Sequence, residues 1–470
     1  MTGPGSLRGQ STLQLIVPLL ILLLLLVTVA TLLPTFSLTM TLGLLAGIVI
    51  FLVSFVSTEI ALYVLIFSML LSPEFVVGTT GGSAMGRGIT LRADDFLLVI
   101  IGFSWVARMS INKELGLFLR TPLNKPIAYY IVTCLVSTLL GAILGRLDLK
   151  TGFLFVLKYF EYMIVYFMVV NHLQSKRQVR NYLWAMLITC AVVSVVAMTN
   201  IPGGERISAP FEGEEGEPNT FGGYLVLMIS ITLGLLLTTS SFRNQLIYFS
   251  LAFLAAVPLL YTQSRSSYLA AIPALLTLVW LTEKRQWIVP LAVVLALSLP
   301  LIAPQPAKER VRYTFVQGKA RKDVVQIGGV KLDTSTSARL VSWQDASKDW
   351  IHHPILGYGV TGYHFLDAQY VRVITETGFL GLFFFSILLI TLFREARRAY
   401  KGSAGPLTRG LTMGFLAGYM GMLFHAIGAN TFIIVRIMEP FWFLAGMVLM
   451  VPELERREAK EGSLAEALRR

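Results

Sequence analysis

Asp367 lies in the stretch HFLDAQYVRVITETGFLGLF, His364 to Phe383, where polar chain gives way to apolar chain within a few residues. A carboxylate or an imidazole at such a boundary can take a proton from a hydroxyl, so Asp367 and His364 are the candidate bases. Three arginines complement them: Arg206 in GGERISAPFEGEEGEPNT, Arg265 in YTQSRSSYLA and Arg339 in TSTSARLVSW. A guanidinium stays charged and offers paired donors that match phosphate oxygens. Arg265 interrupts two apolar runs almost without a loop. An arginine that close to hydrocarbon either snorkels to the interface or serves a site. Asn219, just after Pro218, and Tyr370, three residues beyond Asp367, are the polar neighbours expected to help bind a substrate. Together the arginines suit a phosphate or pyrophosphate ligand.

Other polar groups read as structural. Arg372 and Glu376 have the four-residue spacing of a pair on one helix. Lys158 with Glu161, and Arg436 with Glu439, are three apart and can pair in the same way. His425 on an apolar face reads as a satisfied core residue. Cys134 and Cys190 fall inside apolar runs and are packing residues; no Cys/His cluster has zinc spacing, so no metal is expected. GYGVTG, Gly357 to Gly362, fits GxGxxG literally but lacks the preceding strand and partner acid of a dinucleotide site. A glycine turn that positions the following helix is the better reading.

The elements that must hold these residues are membrane spans. The chain has 470 residues, 55% hydrophobic and 14% charged, with a mean hydropathy of +0.69. That composition defines an all-α polytopic membrane protein. The net charge of +12 comes without a basic stripe interleaved with aromatics, so nucleic acid is excluded as a partner. Apolar runs predict spans at 13–33, 37–56, 59–73, 95–109, 126–145, 152–171, 182–199, 220–240, 245–261, 267–282, 287–303, 372–393, 410–428 and 432–450. That is fourteen, or twelve without the two short runs. The first is too long for a signal-peptide core, has no small-residue cleavage site after it, and is expected to be retained.

Placing both termini in the cytoplasm puts Lys113, Arg120, Lys125, Lys176, Arg177, Arg180 and the run REARRAYK on the inner side. Arg206, Arg265 and Arg339 then share the outer side. The chain divides into residues 1–303, eleven spans with outer loops carrying Arg206 and Arg265; 304–371, a large extracytoplasmic loop; 372–450, three spans; and 451–470, a charged cytoplasmic tail. A loop of that length is functional rather than connective. Within it SARLVSWQDASKDW has helical spacing and predicts a short surface helix.

From Arg206 to the last span the chain resembles the O-antigen ligase/polymerase superfamily of bacterial membrane glycosyltransferases. Arg206 followed by PNTFGGYL, then TQSRSSYLA, SARLVSWQDA and HPILGYGVTGYHFLDAQYVRVITETGFLGL carry the resemblance. It implies a glycan donor on undecaprenyl pyrophosphate and transfer to a hydroxyl of a glycan or lipid-linked acceptor. The expected setting is the outer face of the cytoplasmic membrane, among membrane lipids, with a chain-length regulator as a further partner and no cofactor. Ligases of this family typically open the helix after the large loop with His-Asn-x-Tyr-Leu, followed by Glu-x-Gly. Here Asp367, Ala368, Gln369, Tyr370 and Val371 stand there, with Glu376 and Gly378. Asp367 in place of the histidine favours a polymerase of O-antigen or exopolysaccharide over a ligase acting on lipid A-core. A transporter of lipid-linked glycans is the rival from another class; it would show paired broken helices in two halves and no large outer loop.

Overall fold

The computed structural model describes residues 38–72, 74–76, 90–111, 119–203, 206–210, 216–286, 289–290, 294, 304–315, 326–327, 330–331 and 334–469. The predicted span 13–33, most of 287–303, and Glu205, Glu212, Glu214 and Glu215 lie outside them.

The described chain is helical. In order it forms α1 (Leu38–Val56), α2 (Thr58–Leu71), α3 (Ala93–Ile111), α4 (Asn124–Ile143), α5 (Leu149–His172), α6 (Lys176–Met198) and α7 (Pro218–Thr238). There follow α8 (Phe242–Tyr261), α9 (Arg265–Leu281), α10 (Gln305–Phe315), α11 (Thr334–Trp350), α12 (Gln369–Gly402), α13 (Pro406–His425) and α14 (Val435–Arg469). Two small antiparallel ribbons interrupt this pattern: Glu74–Val76 with Thr90–Arg92, and Gln326–Ile327 with Val330–Lys331.

Two compact units partition the chain. One comprises residues 1–62 and 96–118. In its described part Ser104 donates to the Phe51 carbonyl at 3.1 Å, and Arg108 to the Val56 carbonyl at 3.1 Å. The second unit, residues 63–95 and 119–470, carries all the site residues.

Local chemistry sets the helix boundaries. Asp148 caps α5 by accepting from the Thr151 amide at 2.8 Å, and Ser264 caps α9 by accepting from Ser267 N. Pro218 and Pro406 occupy the first turns of α7 and α13, where the missing N–H is not needed. Among the described residues, α4 to α8, α12 and Val435–Glu461 of α14 are long and apolar enough to cross a membrane. Leu45–Val56, Thr58–Leu71 and α9 are shorter apolar stretches, and α13 covers the predicted span 410–428 as far as His425. The outside of the bundle is apolar where lipid would lie: Phe242, Leu246, Phe249 and Phe253 of α8 are all exposed. Between α7 and α13 the backbones touch, since a Cβ on Gly234 would lie 2.4 Å from the Gly410 carbonyl. Small residues permit that approach, as membrane bundles require.

Two expected pairings along one helix, Lys158 with Glu161 and Arg436 with Glu439, are not the ones the structure forms, and among the described residues both Glu439 carboxylate oxygens are buried without a hydrogen-bond partner. Lys158 reaches Asp95 at 3.4 Å, and Arg436 donates to the carbonyls of Pro210 and Ser72, both at 3.2 Å. These charges tie distant segments together.

Candidate active site

The site begins at the entry to α12. Asp367 is not part of that helix, which starts at Gln369 after an extended Ala368, and the helix itself is broken at Gly378 (φ 66°, ψ −168°). Asp367 and Ala368 therefore lie in the loop before the helix, and residues 369–377 form a short helical stretch ahead of the break. The segment that follows α11 docks into the break. Phe379 N donates to the Pro354 carbonyl at 2.7 Å, while Tyr358 N and Gly359 N donate to the carbonyls of Thr375 and Glu376 at 3.0 and 2.8 Å. GYGVTG is this docking turn. Gly357 has φ 66°, and a Cβ there would meet the Thr375 carbonyl at 2.4 Å, so only glycine fits.

The Arg372–Glu376 pair, Nε to Oε1 at 3.0 Å and buried, braces the short turn as expected. It also reaches beyond its helix, because Glu376 accepts from the Thr361 amide at 3.1 Å. Ser137 Oγ of α4 lies 2.5 Å from the Leu356 carbonyl and 2.8 Å from that of Glu376, which secures the docked turn from the other side. Asp367 is thus carried on a loop whose two ends are fixed.

Arg339, on α11, holds that loop from outside. Its Nε and Nη2 both donate to Asp367 Oδ2, at 3.1 and 2.5 Å. Both partners keep solvent exposure, 24% and 31% of their side chains. No described residue donates to Asp367 Oδ1. Arg265, the first residue of α9, points its Nη1 toward Thr336 Oγ1 at 3.4 Å, one turn before Arg339 on α11. Arg206 is held by carbonyls: Nε donates to Thr262 O at 3.2 Å and Nη2 to Gln263 O at 3.4 Å. Gln263 adopts φ 51°, an unusual conformation for a residue with a side chain. That turn aims two successive carbonyls at one guanidinium.

The electrostatics bring the arginines together. Partial desolvation, then the positive charges of Arg310, Arg265 and Arg339, push the Arg206 guanidinium below its ordinary value, although the residue retains an exposed surface. Arg310, from α10, is the member that spacing alone did not single out. The only signal was its place in the basic run that opens the large loop. Like charges this close repel one another, and a bound anion would relieve that repulsion.

The remaining predicted residues are placed as follows. Asn219 Oδ1 accepts from Ser264 Oγ at 2.7 Å, joining the start of α7 to the cap of α9 and so to Arg265. Tyr370 donates to the Leu423 carbonyl at 2.7 Å and fastens the start of α12 to α13. His364 is exposed, its ring tilted against that of Tyr363 with 3.9 Å between centroids. Buried His425 has partners at both nitrogens: Ser267 Oγ at 3.2 Å and Thr431 Oγ1 at 2.8 Å. Ser264 gives its proton to Asn219 and Ser267 gives its own to Ser264 at 2.8 Å, so His425 Nε2 is the nitrogen that donates. The expectation of a satisfied core histidine holds. Among the described residues no group of His, Cys, Asp and Glu has metal-holding geometry.

Helices that could span a bilayer and an apolar exterior where lipid would lie define a multi-pass membrane protein. Residues 249–386 match the family model described as O-antigen ligase. The matched segment holds Arg265, Arg310, Arg339 and Asp367, and it supports the O-antigen ligase/polymerase superfamily, with glycan transfer of that general type as the activity. Comparison with curated proteins returns no match.

Proposed function

We propose that the protein transfers a glycan from an undecaprenyl-pyrophosphate-linked donor to a hydroxyl of a glycan acceptor, on the outer face of the bacterial cytoplasmic membrane. The observation that carries this reading is the nearness of Arg206, Arg265, Arg310 and Arg339 to one another, with Arg339 in turn holding Asp367. Guanidinium groups bind the pyrophosphate and take up the charge that grows on it as it leaves. The acceptor oxygen attacks the anomeric carbon, the bond from that carbon to the phosphate oxygen breaks, and the pyrophosphate departs with the electron pair. The hydroxyl proton passes to Asp367, whose Oδ1 is open to an acceptor while Oδ2 is held by Arg339. A carboxylate is a weak base, so stabilisation of the leaving group supplies the larger share of catalysis. Asn219 and Tyr370 act in this scheme by fixing the helix starts that present Arg265 and Asp367.

Within glycan transfer, the carboxylate at position 367 favours polymerisation of O-antigen or exopolysaccharide. Attachment of glycan to lipid A-core is the second reading, favoured by the description of the matched family model. Under the polymerase reading a chain-length regulator is a partner, and the reaction uses no metal or other cofactor. The test is transfer from lipid-linked oligosaccharide by the purified protein in detergent, without a membrane gradient. Longer glycan on the polyprenyl lipid supports polymerisation, glycan on lipid A-core supports ligation, and no turnover with either acceptor overturns the proposal.

A further inference from the structure

α9 and α12 both leave the Asp367 site and run to the far end of the bundle, where α9 ends at Leu281 and α12 at Gly402. Over the 17 residues of α9 that separation is roughly 25 Å, close to the thickness of a hydrocarbon layer. A cavity of about 570 Å³ opens there, lined by Trp280, Glu283, Arg285, Arg397, Lys401 and Arg409 among others. Four of those six are cations and one is a carboxylate.

The carboxylate is taken. Glu283 pairs with Arg409, which also lies 5.6 Å from the centroid of the Tyr400 ring. Tyr400 donates to the Leu281 carbonyl at 2.7 Å and closes the floor between α9 and α12. Arg285 is oriented by carbonyls, Nε on Thr282 O at 3.2 Å and Nη2 on Trp280 O. Among the described residues no carboxylate pairs with Arg285, Arg397 or Lys401. The cavity therefore carries surplus positive charge on groups that are already partly positioned.

The surface leading to the cavity identifies what brings the negative charge. Ile272, Leu276 and Trp280 succeed one another at four-residue spacing on α9 and are 57%, 63% and 56% exposed. They form an apolar track along one face of the helix that ends at the cavity mouth. A soluble anion gains nothing from such a track, whereas an acyl chain covers it. Trp280 also has the place of an interfacial aromatic, apolar on one side and wet on the other.

We propose that this cavity binds the headgroup of an anionic phospholipid, its phosphate between Arg285, Arg397 and Lys401 and one acyl chain along Ile272, Leu276 and Trp280. The proposal is independent of the reaction at Asp367, since the two places lie at opposite ends of the same helices.

The full chain in neutral detergent is titrated with dioleoyl-phosphatidylglycerol, dioleoyl-phosphatidylcholine and glycerol 3-phosphate. Native mass spectrometry counts retained lipid, and the melting midpoint is followed in parallel. Phosphatidylglycerol should be retained and should raise the midpoint well beyond phosphatidylcholine. The double variant Arg397→Gln/Lys401→Gln should retain it about tenfold less or weaker still, because each basic residue near a headgroup contributes separately. Both side chains are exposed, and an unchanged lipid-free midpoint verifies the fold of the variant. Equal retention of the two lipids by the unaltered protein overturns the proposal, as does undiminished phosphatidylglycerol retention in the folded variant. Equal stabilisation by glycerol 3-phosphate would assign the cavity to a soluble anion and overturn it too.

Discussion

Arg339 and Asp367, 28 residues apart in sequence, meet so that both donors of the guanidinium fall on one carboxylate oxygen. The other oxygen is thereby turned outward from the pair. Asp367→Asn keeps the shape and removes the basic group; transfer should fall by about 10²–10⁴-fold, the range for loss of a positioned base. Asp367→Glu should retain part of the rate. His364→Ala should stay within a few-fold of the unaltered protein, since His364 is exposed and its ring lies against Tyr363. Rates on lipid-linked donor decide; an inactive His364→Ala beside an active Asp367→Asn would exchange the two roles.

Arg310 is predicted to bind donor together with Arg206. Arg310→Gln and Arg206→Gln should each weaken donor binding by about 10- to 100-fold, the worth of a charged hydrogen bond. The loss should shrink as salt rises, because part of it is long-range attraction. Steady-state KM for the donor at two ionic strengths measures this. Unchanged donor KM in both variants would remove the anion site.

The break in α12 should not accept a side chain. At Gly378 the backbone lies in a region open essentially to glycine, and a Cβ there would fall 2.2 Å from the Ile355 carbonyl. Gly378→Ala should expel the docked turn, with a large fall in melting midpoint and in folded yield. Gly402→Ala is the control, since open space surrounds that position. Equal midpoints for the two variants would show that the docking is not needed.

Removing one partner of the Arg372–Glu376 pair leaves a buried charge alone. Glu376→Leu or Arg372→Met should cost about 3–5 kcal/mol, while the paired replacement Arg372→Met/Glu376→Leu should regain a good part of it. Denaturation of the four proteins closes the cycle. Because Glu376 also accepts from the Thr361 amide, the recovery should be incomplete.

Asp148 supplies a stability term that depends on pH. Its hydrogen bonds from the Thr151 hydroxyl and amide favour the charged carboxyl and lower its pKa in the folded protein. A depressed carboxyl stabilises fully above the unfolded value, near 4, and loses that contribution as pH falls through the folded value. Comparing Asp148→Ala with the unaltered protein should show a midpoint difference at pH 7 that shrinks on acidification below pH 4. A difference independent of pH would mean that the charge of Asp148 contributes nothing.

Hydropathy alone determined that this is a polytopic helical protein, because a bilayer requires long apolar helices and the sequence is too poor in charge for another solution. Residue type likewise marked Arg206, Arg265, Arg339 and Asp367, since charged groups beside apolar runs demand a reason. The helix over SARLVSWQDASKDW and the bracing role of Arg372 and Glu376 were legible from spacing, which reports local structure. Tertiary structure decided what depends on distant segments. Spacing within one helix could not place Asp367 before α12, break that helix at Gly378, or insert residues 354–359 into the gap. Nor could it add Arg310 to the other arginines, because those side chains come from four separate segments. Local pattern fixes which face of an element is polar; only packing determines which polar faces meet.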